Sequence, residues 1–263
     1  MTSRPTPPDP ATRAHSFNAA AAQYAAGRPS YPPALFDAVE DVAGRSLTGA
    51  RVVDVGAGTG IATARLRERG ADVVAVEPGA GMAAEFRRHL PAVPIVRGNG
   101  NALPFADDTA DFVTYAQAWH WTDPVRSVPE ALRVLRPGGA LALWWNTDAF
   151  DVEWIAEANR RAARFVGIDV SEEQYKAAER IRRADPGGRL DFTRRTVRWF
   201  RRVPVDTHLA NIGSHSAFLV QPPERTAAFL DEERALVLEI FPDGMVEETY
   251  DVALIVARNS PGT

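Results

Sequence analysis

A glycine-rich turn constrains the fold of this chain more than any other feature of its sequence. The apolar run Arg51–Val55 leads into Gly56, Gly58 and Gly60. Glycines at alternate positions let the backbone approach a ligand closely, and they leave amide N–H groups and the N-terminus of the next helix facing an anion. The dinucleotide pattern G-x-G-x-x-G would require glycine at position 61, where this chain has Ile61. The sequence therefore predicts a buried strand, a nucleotide-binding turn and a helix, with a glycine spacing that disfavours a nicotinamide cofactor.

Strand and helix patterns alternate along the chain. Short β-branched runs predict strands over Arg51–Val55, Asp72–Glu77, Val93–Val96, Asp111–Tyr115 and Ala140–Trp145. Amphipathic stretches between them predict helices over Ile61–Arg69, Gly81–Leu90 and Pro124–Leu135. Further along, the same patterns predict helices over Asp151–Val166, Ser171–Asp185, Asp206–Leu219 and Pro223–Phe241, and strands over Leu190–Val203 and Thr249–Ala257. This alternation predicts an α/β fold whose doubly wound parallel sheet is covered on both faces.

We expect one domain over residues 15–258, because the last strand needs the sheet that the earlier strands build. Residues 1–14, which are rich in proline, and residues 259–263 are expected to be tails, the first of them disordered. Residues 15–43 are expected to form an N-terminal lid, and residues about 150–188 a helical insertion that caps the substrate site. Either a monomer or a homodimer is expected.

The composition excludes several chemistries. The 263 residues include no cysteine, which excludes disulfides, a thiolate nucleophile, sulfur-ligated metal sites and the thiol adduct of pyrimidine C5 methylation. Lys176 is the only lysine and follows a tyrosine, so the chain has no P-loop. No apolar run reaches the roughly 18 residues of a membrane span, and the N-terminus has no apolar secretion signal. A cytoplasmic protein without a membrane anchor is therefore expected.

An acidic residue ends the second predicted strand. Glu77 follows the last glycine of the turn by 17 residues. A carboxylate there can accept hydrogen bonds from both hydroxyls of a ribose, because ligands of open α/β sheets bind at the carboxyl ends of the strands. The alternative is that Glu77 only caps the helix that begins near Gly79. Together the turn and the acid favour a nucleoside-containing cofactor.

These landmarks extend over most of the chain. The sequence resembles the class I S-adenosylmethionine-dependent methyltransferases, and among them the bacterial small-molecule enzymes with methyltransferase domain 11. The resemblance rests on Asp54–Gly60, Glu77, Asn101–Phe105, Leu135–Gly139, Phe17–Pro32, Gln117–Trp121 and Glu248–Arg258. It implies a Rossmann-like seven-stranded sheet in the order 3-2-1-4-5-7-6 with strand 7 antiparallel. It also implies direct transfer of a methyl group from S-adenosyl-L-methionine to a small molecule, most simply to oxygen or nitrogen.

The resemblance also implies a set of cofactor-binding residues. They are Asp54, Gly56, Ala57, Gly58, Gly60, Glu77, Pro78, Met82, Asn99, Gly100, Asn101, Ala102, Gln117, Tyr24 and Arg28. The family often has acids in the segment that meets the adenine, where this chain has Asn99 and Asn101. An asparagine oxygen can accept the hydrogen bond of the adenine amino group without the assistance of a charge. The guanidinium of Arg28 suits a carboxylate of either the cofactor or the substrate.

His120 is the candidate catalytic residue, because it follows the fourth strand at the functional edge of the sheet. It could act as a general base, position the substrate, or serve only the structure. Alignment of the acceptor with the methyl group could also suffice without a base. The candidate substrate-binding residues are Tyr31, Trp119, Trp121, Asn146, His208 and His215. The two histidines of this set lie seven residues apart on one predicted helix, and no metal is expected because no acid is close to them in sequence.

Three other functions stay open at this point. An RNA methyltransferase could use the arginine-rich segment Lys176–Arg202, although a solvated face paired with the acidic helices near Glu153 and Glu232 is the simpler interpretation. A nicotinamide oxidoreductase is disfavoured by Ile61. A cofactor-binding protein without catalysis is also compatible, because no residue is an obligatory catalyst. Because the solvated face is the simpler interpretation of the arginine-rich segment, nucleic acid is not expected as a partner.

Overall fold

The computed structural model describes Phe17 and residues 21–167, 177–185 and 190–259. Seven strands form one sheet in the order β3-β2-β1-β4-β5-β7-β6, which confirms the predicted order. The strands are β1 (Arg51–Val55), β2 (Asp72–Val76), β3 (Ile95–Val96), β4 (Ala110–Ala116), β5 (Leu135–Asp148), β6 (Leu190–Pro204) and β7 (Met245–Asn259). The predicted tail 1–14, residues 260–263 of the second predicted tail, Lys176 and the proline and glycines at 186–188 lie outside the described residues, whereas Asn259 belongs to β7.

Helices connect these strands. They are α1 (Ala21–Gly27), α2 (Pro33–Ala43), α3 (Ile61–Glu68), α4 (Ala80–His89), α5 (Pro124–Val134), α6 (Glu153–Val166), α7 (Ala177–Ala184), α8 (Val205–Gly213), α9 (Ser216–Leu219) and α10 (Pro223–Ile240), and a short 3-10 helix spans Trp119–Trp121. The helices α6 and α7 lie between β5 and β6 in the chain, within the segment predicted to be an insertion. Its boundaries, and those of the lid, stay predictions.

The sheet is mixed. Pairs β1–β2, β1–β4, β2–β3 and β4–β5 are all parallel. Strand β7 runs the other way beside β5, because Thr147 donates a hydrogen bond to the carbonyl of Asp251 whereas Asn259 donates to that of Leu135. Residue numbers thus increase along β5 in the direction in which they decrease along β7. The prediction that the seventh strand is antiparallel is confirmed.

The described residues fall into two compact units. The sheet unit takes those within 30–147, 172–199 and 251–263, and the helical unit takes those within 1–29, 148–171 and 200–250. In the sheet unit, Trp144 packs edge-on against Tyr31 and Phe36 in one apolar cluster. Trp145 belongs to the other cluster together with Trp119. Adjacent strand residues point to opposite faces, so each indole fills a different side of the sheet.

The helical unit has its own core. Val205 and Leu209 of α8 pack with Val237 of α10 and Val246 of β7. Glycine at position 27 allows α1 to approach α8, since a Cβ atom there would lie 2.9 Å from the backbone nitrogen of Asn211. This unit therefore has a close helix contact as well as an apolar core.

One predicted helix is wrong. The stretch predicted as a single helix over Asp206–Leu219 divides into α8 and α9, because His215 adopts an extended conformation with φ −71° and ψ 139°. The hydroxyl of Ser214 donates to the carbonyl of Asn211 at 2.7 Å and so competes with continuation of the helix. His208 and His215 therefore do not share one helix face.

Candidate functional site

The glycine turn joins β1 to α3 in the sheet unit, with left-handed backbone at Gly56 (φ +68°) and Gly58 (φ +58°). A Cβ atom at Gly56 would lie 2.5 Å from the Cβ of Ala118, so the turn leaves no room for a side chain at this position. A Cβ atom at Gly58 would meet no atom within 4 Å. The backbone at Gly58 therefore borders open space that a ligand can fill.

Glu77 is tied to this turn by its carboxylate. Its Oε2 accepts a hydrogen bond from the N–H of Gly58 at 2.9 Å, and its Oε1 accepts one from the N–H of Gly79 at 2.6 Å. Burial raises the pKa of Glu77, although these two backbone donors act against that rise. The bond to Gly79 shows that Glu77 also binds the start of the next helix, which was the alternative interpretation of this acid. Since each carboxylate oxygen has a second lone pair, Glu77 can still accept from ribose hydroxyls.

Asp54 is fully buried at the end of β1. Its Oδ2 accepts from the hydroxyl of Thr63 on α3 at 2.5 Å, and its Oδ1 accepts from the hydroxyl of Thr114 on β4 at 2.9 Å. Burial raises the pKa of Asp54 to about 6. In this structure the side chain of Asp54 therefore joins three elements beneath the turn, and it reaches no solvent-facing surface. The two threonines were not anticipated, although the hydroxyl of Thr114 within the mostly apolar strand β4 is a signal of such a buried acceptor.

Asn99 and Asn101 use their side-chain oxygens locally. The Oδ1 atom of Asn99 accepts from the N–H of Asn101 at 2.9 Å, and that of Asn101 accepts from the N–H of Asp123 at 2.9 Å. Asp123 is the N-cap of α5, so Asn101 links the segment after β3 to the start of that helix. A carbonyl oxygen can satisfy each backbone donor as well as a carboxylate can, which explains why asparagine suits both positions.

The remaining candidates of the sheet unit border the same strand ends. Gln117 directly follows β4 with φ +57°, an uncommon conformation for a residue other than glycine. Its Nε2 donates to the carbonyl of Asn146 at 3.3 Å. A Cβ atom at Gly100 would lie 2.6 Å from the hydroxyl of Tyr115, so this glycine is required by packing. Of the other candidates, Pro78 and Ala102 are exposed whereas Ala57 and Met82 are buried.

His120 has a defined tautomer. The indole Nε1–H of Trp145 donates to Nδ1 of His120 at 3.3 Å. Because an indole nitrogen can only donate, Nδ1 is an acceptor and the neutral imidazole carries its proton on Nε2. The ring also lies 4.6 Å from that of Trp121. In this arrangement Nε2 carries the proton of the neutral ring and Nδ1 already accepts a hydrogen bond, which favours positioning over general-base catalysis.

Three of the candidate substrate residues have internal partners. Trp119 is 1% exposed and lies under the guanidinium of Arg180, and Tyr31 is buried against Trp144. Asn146 donates from Nδ2 to the carbonyl of Ser30 at 3.0 Å and accepts at Oδ1 from the indole of Trp199 at 3.0 Å. These contacts assign packing or structural bonding to the three side chains, and a substrate contact by any of them stays a prediction.

In the helical unit His208 belongs to a buried polar network around Glu248. The Nδ1 atom of His208 lies 2.7 Å from Oε1 of Glu248, while Tyr250 donates to Oε2 of Glu248 at 2.7 Å. Arg201 pairs with the same carboxylate and also donates to the carbonyl of Gly27. Burial alone would raise the pKa of Glu248, but the hydrogen bond from His208 and the charge of Arg201 lower it overall. Glu248 was missed as a partner because it lies 40 residues from His208 in sequence.

Tyr24, Arg28 and His215 also lie in the helical unit. The guanidinium carbon of Arg28 is 4.7 Å from the ring centre of Tyr24, and Nη2 of Arg28 donates to the carbonyl of Ser214 at 3.3 Å. His215 follows Ser214 as the N-cap residue of α9. The two histidines therefore have different surroundings, with His208 held by a carboxylate and His215 beside an arginine.

The arginines of β6 have acidic partners, although not those expected. Three of them pair with acids of β7 and of the turn before it, and Arg195 pairs with Asp41 of α2, rather than with the helices near Glu153 and Glu232. The three pairs are Arg198–Asp251, Arg201–Glu248 and Arg202–Asp243, and in the opposite direction Arg258 of β7 pairs with Asp191 of β6. Antiparallel neighbours on two strands place these charges opposite each other, which sequence separation conceals. This pairing favours a structural role for the arginine-rich segment.

Two kinds of feature are absent from the described residues, a membrane-spanning helix and a metal-binding cluster. Within residues 21–167, 177–185 and 190–259, no helix is both long and apolar enough to cross a bilayer. The same part of the chain holds no group of three or more His, Asp or Glu side chains placed to bind a metal ion.

Comparisons with known proteins agree with this geometry. Residues 53–143 match the family model described as a methyltransferase domain. The chain is 36% identical to an uncharacterized methyltransferase of Mycobacterium tuberculosis (strain ATCC 25618 / H37Rv) over 84% of this chain and 85% of the relative. It is 27% identical to an uncharacterized methyltransferase-like protein of Schizosaccharomyces pombe over 94% of this chain and 96% of that protein. A candidate type II methyltransferase of known structure from Anaeromyxobacter dehalogenans is 26% identical, covers 89% of this chain and 99% of its own, and has a TM-score of 0.62. Given the mycobacterial match over most of both chains and the shared strand order, this chain belongs to the class I methyltransferase family.

Proposed function

We propose that the protein transfers a methyl group from S-adenosyl-L-methionine to oxygen or nitrogen of a small-molecule acceptor. The observation that carries this proposal is the hydrogen bond between Glu77 and the N–H of Gly58. It places an acid with spare lone pairs beside the open space at the glycine turn. A ribose fits such a site because its hydroxyls need hydrogen-bond acceptors. A neighbouring amino-acid moiety fits because the glycine backbone can approach it closely.

The residues of the sheet unit would divide the work of holding this cofactor. Glu77 would accept from the ribose hydroxyls, and the backbone at Gly56 and Gly58 would border the methionine portion. Asp54 would act indirectly by holding α3 and β4 under the turn through Thr63 and Thr114. When bound, the cofactor supplies a methyl group attached to a positively charged sulfur. An oxygen or nitrogen nucleophile attacks the methyl carbon directly, and the sulfur is the leaving group.

His120 would act as a hydrogen-bond donor in this reaction. Its Nδ1 atom is occupied by the indole of Trp145, so Nε2 carries the proton in the neutral ring. A donor can orient an acceptor oxygen but cannot remove its proton. The rate would then depend on alignment and on whichever other group receives the proton.

Calorimetric titration of the full chain tests the cofactor assignment. We expect S-adenosylhomocysteine to bind at least tenfold more tightly than NAD, followed by release of S-adenosylhomocysteine when S-adenosylmethionine and a suitable acceptor are supplied. Equal or tighter binding of NAD would contradict the proposal. The cytoplasmic location and the oligomeric state stay predictions, and the pairing of the β6 arginines with acids gives an RNA acceptor no support.

A further inference from the structure

Two buried side chains on α8 of the helical unit each keep one polar atom without a hydrogen-bond partner. The atoms are Nε2 of His208 and Oδ1 of Asn211, and neither has a partner in the part of the chain that the structure describes. Each of the two residues is only 7% exposed. Leaving a buried polar atom without a hydrogen bond is unfavourable, so a bound molecule that satisfies both atoms would be stabilised there.

The ring of His208 is oriented by a carboxylate. Its Nδ1 atom lies 2.7 Å from Oε1 of Glu248. An ionised carboxylate can only accept hydrogen bonds, so Nδ1 carries a proton and donates it to this oxygen. In the neutral ring Nε2 then has a free lone pair. A histidine held in this way has a fixed tautomer and orientation, and its second nitrogen is left as an acceptor for a ligand.

The orientation of the Asn211 amide follows from its own contacts. Its Nδ2 atom donates to the hydroxyl of Tyr250 at 3.2 Å, and that hydroxyl donates to Oε2 of Glu248 at 2.7 Å. Because the hydroxyl of Tyr250 has one proton and gives it to Glu248, it can only accept from the amide. The nitrogen of the amide therefore faces Tyr250, and Oδ1 is left as a second acceptor.

The two acceptors lie on the same side of α8. His208 and Asn211 are three residues apart, which places their side chains one helical turn apart on one face. Both side chains meet β7, where Glu248 and Tyr250 are separated by one residue and share a face. The indole of Trp154 on α6 lies 5.8 Å from the His208 ring and is half-buried, so it adds apolar surface beside the two acceptors.

The charges of this network indicate a neutral ligand. Arg201 forms an ion pair with Glu248, so the buried positive and negative charges balance. An anionic oxygen offers only lone pairs, which neither Nε2 of the neutral His208 ring nor Oδ1 of Asn211 can bind. A cationic ligand would be repelled by the nearby guanidinium of Arg201. The arrangement therefore favours an uncharged molecule with two hydrogen-bond donors.

We propose that the helical unit binds a small neutral diol. One hydroxyl donates to Nε2 of His208, the other donates to Oδ1 of Asn211, and the hydrocarbon part of the molecule packs against Trp154. The inference concerns contacts within the helical unit, and it stands independently of the proposed function because it requires no cofactor.

The first experiment compares diols with their ethers. The full chain is titrated at about pH 8, where an ordinary imidazole is neutral, with catechol and with trans-1,2-cyclohexanediol. Each diol is paired with its dimethyl ether, which keeps the carbon skeleton and removes both donors. Ligand-observed NMR should show that at least one diol binds about tenfold or more tightly than its ether, because two hydrogen bonds are lost. If neither diol binds, or if diol and ether bind equally, the two atoms hold water only and the inference is overturned.

The ring nitrogens of His208 provide a second measurement. In protein labelled with ¹⁵N at histidine, the Nε2 resonance should report an unprotonated nitrogen in the free chain and should shift when the diol is added. A purely structural histidine would show no such shift. A protonated Nε2 in the free chain, or a resonance that does not move at saturating diol, would contradict the inference.

Two variants remove the acceptors one at a time. His208→Asn keeps an N–H donor toward Glu248 and has no atom at the position of Nε2, whereas Asn211→Leu keeps the volume and removes Oδ1. Each should weaken binding of the diol about fivefold to tenfold and leave binding of the ether unchanged. Asp206→Asn, at an exposed position of α8, is the control.

Thermal unfolding shows whether each variant keeps its fold. If His208→Asn unfolds, Asn211→Leu and the Nε2 resonance still decide the question. Wild-type affinity for the diol in a folded variant would remove that acceptor from the site and overturn the inference. S-adenosylhomocysteine is titrated with the same protein, and its failure to bind would contradict the proposed function while leaving the diol site intact.

Discussion

The carboxylate of Glu77 accepts a hydrogen bond from the backbone N–H of Gly58 at 2.9 Å, and this contact joins the end of β2 to the glycine turn after β1. The same side chain accepts from the N–H of Gly79 at the start of α4. The carboxylate of Glu77 therefore holds two loops in place, the one that precedes α3 and the one that precedes α4. Because it is 7% exposed and still has lone pairs to offer, it combines a structural and a ligand-binding role.

Substitution Glu77→Gln should weaken S-adenosylhomocysteine binding about tenfold to 100-fold, because charge-assisted hydrogen bonds of about 1.5–3 kcal/mol are lost. The side-chain amide of the glutamine would also place its NH₂ group, a donor, against one of the two backbone N–H donors. Calorimetry measures the affinity, and circular dichroism checks that the fold is kept. Asp72→Asn is the control, since Asp72 is an exposed acid at the other end of β2. Equal affinities in the wild type and Glu77→Gln would remove Glu77 from the cofactor site.

Gly58→Ala and Gly44→Ala form a matched pair. Both glycines have left-handed backbone (φ +58° and +62°), and a Cβ atom at either meets nothing within 4 Å. Each substitution should therefore cost a similar amount of stability, about 1–2 kcal/mol. Only Gly58→Ala should weaken S-adenosylhomocysteine, by about tenfold, because its methyl group enters the space beside the turn. Thermal unfolding and calorimetry together test this, and a parallel loss of affinity in both variants would refute it.

The stability of the chain should depend on the ionisation of Asp54. Burial raises its pKa from 3.8 to about 6, so the folded state binds the proton more tightly than the unfolded state. This contribution is fully present below the unfolded pKa and is lost as the pH rises through about 6. Relative to Asp54→Asn, the wild type should therefore lose about 3 kcal/mol between about pH 4 and pH 7. Urea unfolding at several pH values measures this difference, and a difference that does not change with pH would contradict it.

His120→Ala should reduce kcat by less than about tenfold, because the neutral ring offers one hydrogen-bond donor and no free basic nitrogen at Nδ1. His120→Gln, which keeps a donor, should recover part of the loss. Trp145→Phe removes the indole N–H and frees Nδ1, so its pH–rate profile should differ from that of the wild type. A loss of about 100-fold or more in His120→Ala, with the disappearance of one limb of the profile, would show that His120 is a general base.

Glu248→Gln should destabilise the chain by about 3–5 kcal/mol, because Arg201 and His208 lose their shared buried carboxylate. The adjacent Glu247 is exposed, so Glu247→Gln is a close control with little expected effect. The pKa of Glu248 is lowered in the folded state. Its stabilising contribution is therefore present above the unfolded value near 4.5 and is lost as the pH falls through the folded value. Equal stability of the two variants would contradict this role.

The parallel strands and the glycine turn follow from local sequence patterns, whereas the strand order was implied by the resemblance to the class I methyltransferases. Apolar periodicity and the conformational freedom of glycine depend on only a few neighbouring residues. The strand Arg51–Val55, the turn after it and Glu77 can therefore be recognised without knowledge of the fold. The break between α8 and α9 was not predicted. Its cause is the local bond from Ser214 to Asn211, which amphipathic periodicity does not register.

The chemical state of each candidate side chain was decided by tertiary structure. Trp145, 25 residues away, fixes the tautomer of His120, and Glu248, 40 residues away, holds His208. Arg28 lies 120 residues from Asp148 in sequence, and its charge favours the ionised form of that residue. A sequence specifies which residue types are present and how local backbone turns, because both depend on near neighbours. Protonation, burial and hydrogen-bond partners depend on atoms that only folding brings together, and for that reason the glycine turn was predictable whereas the partners of His120 and His208 were not.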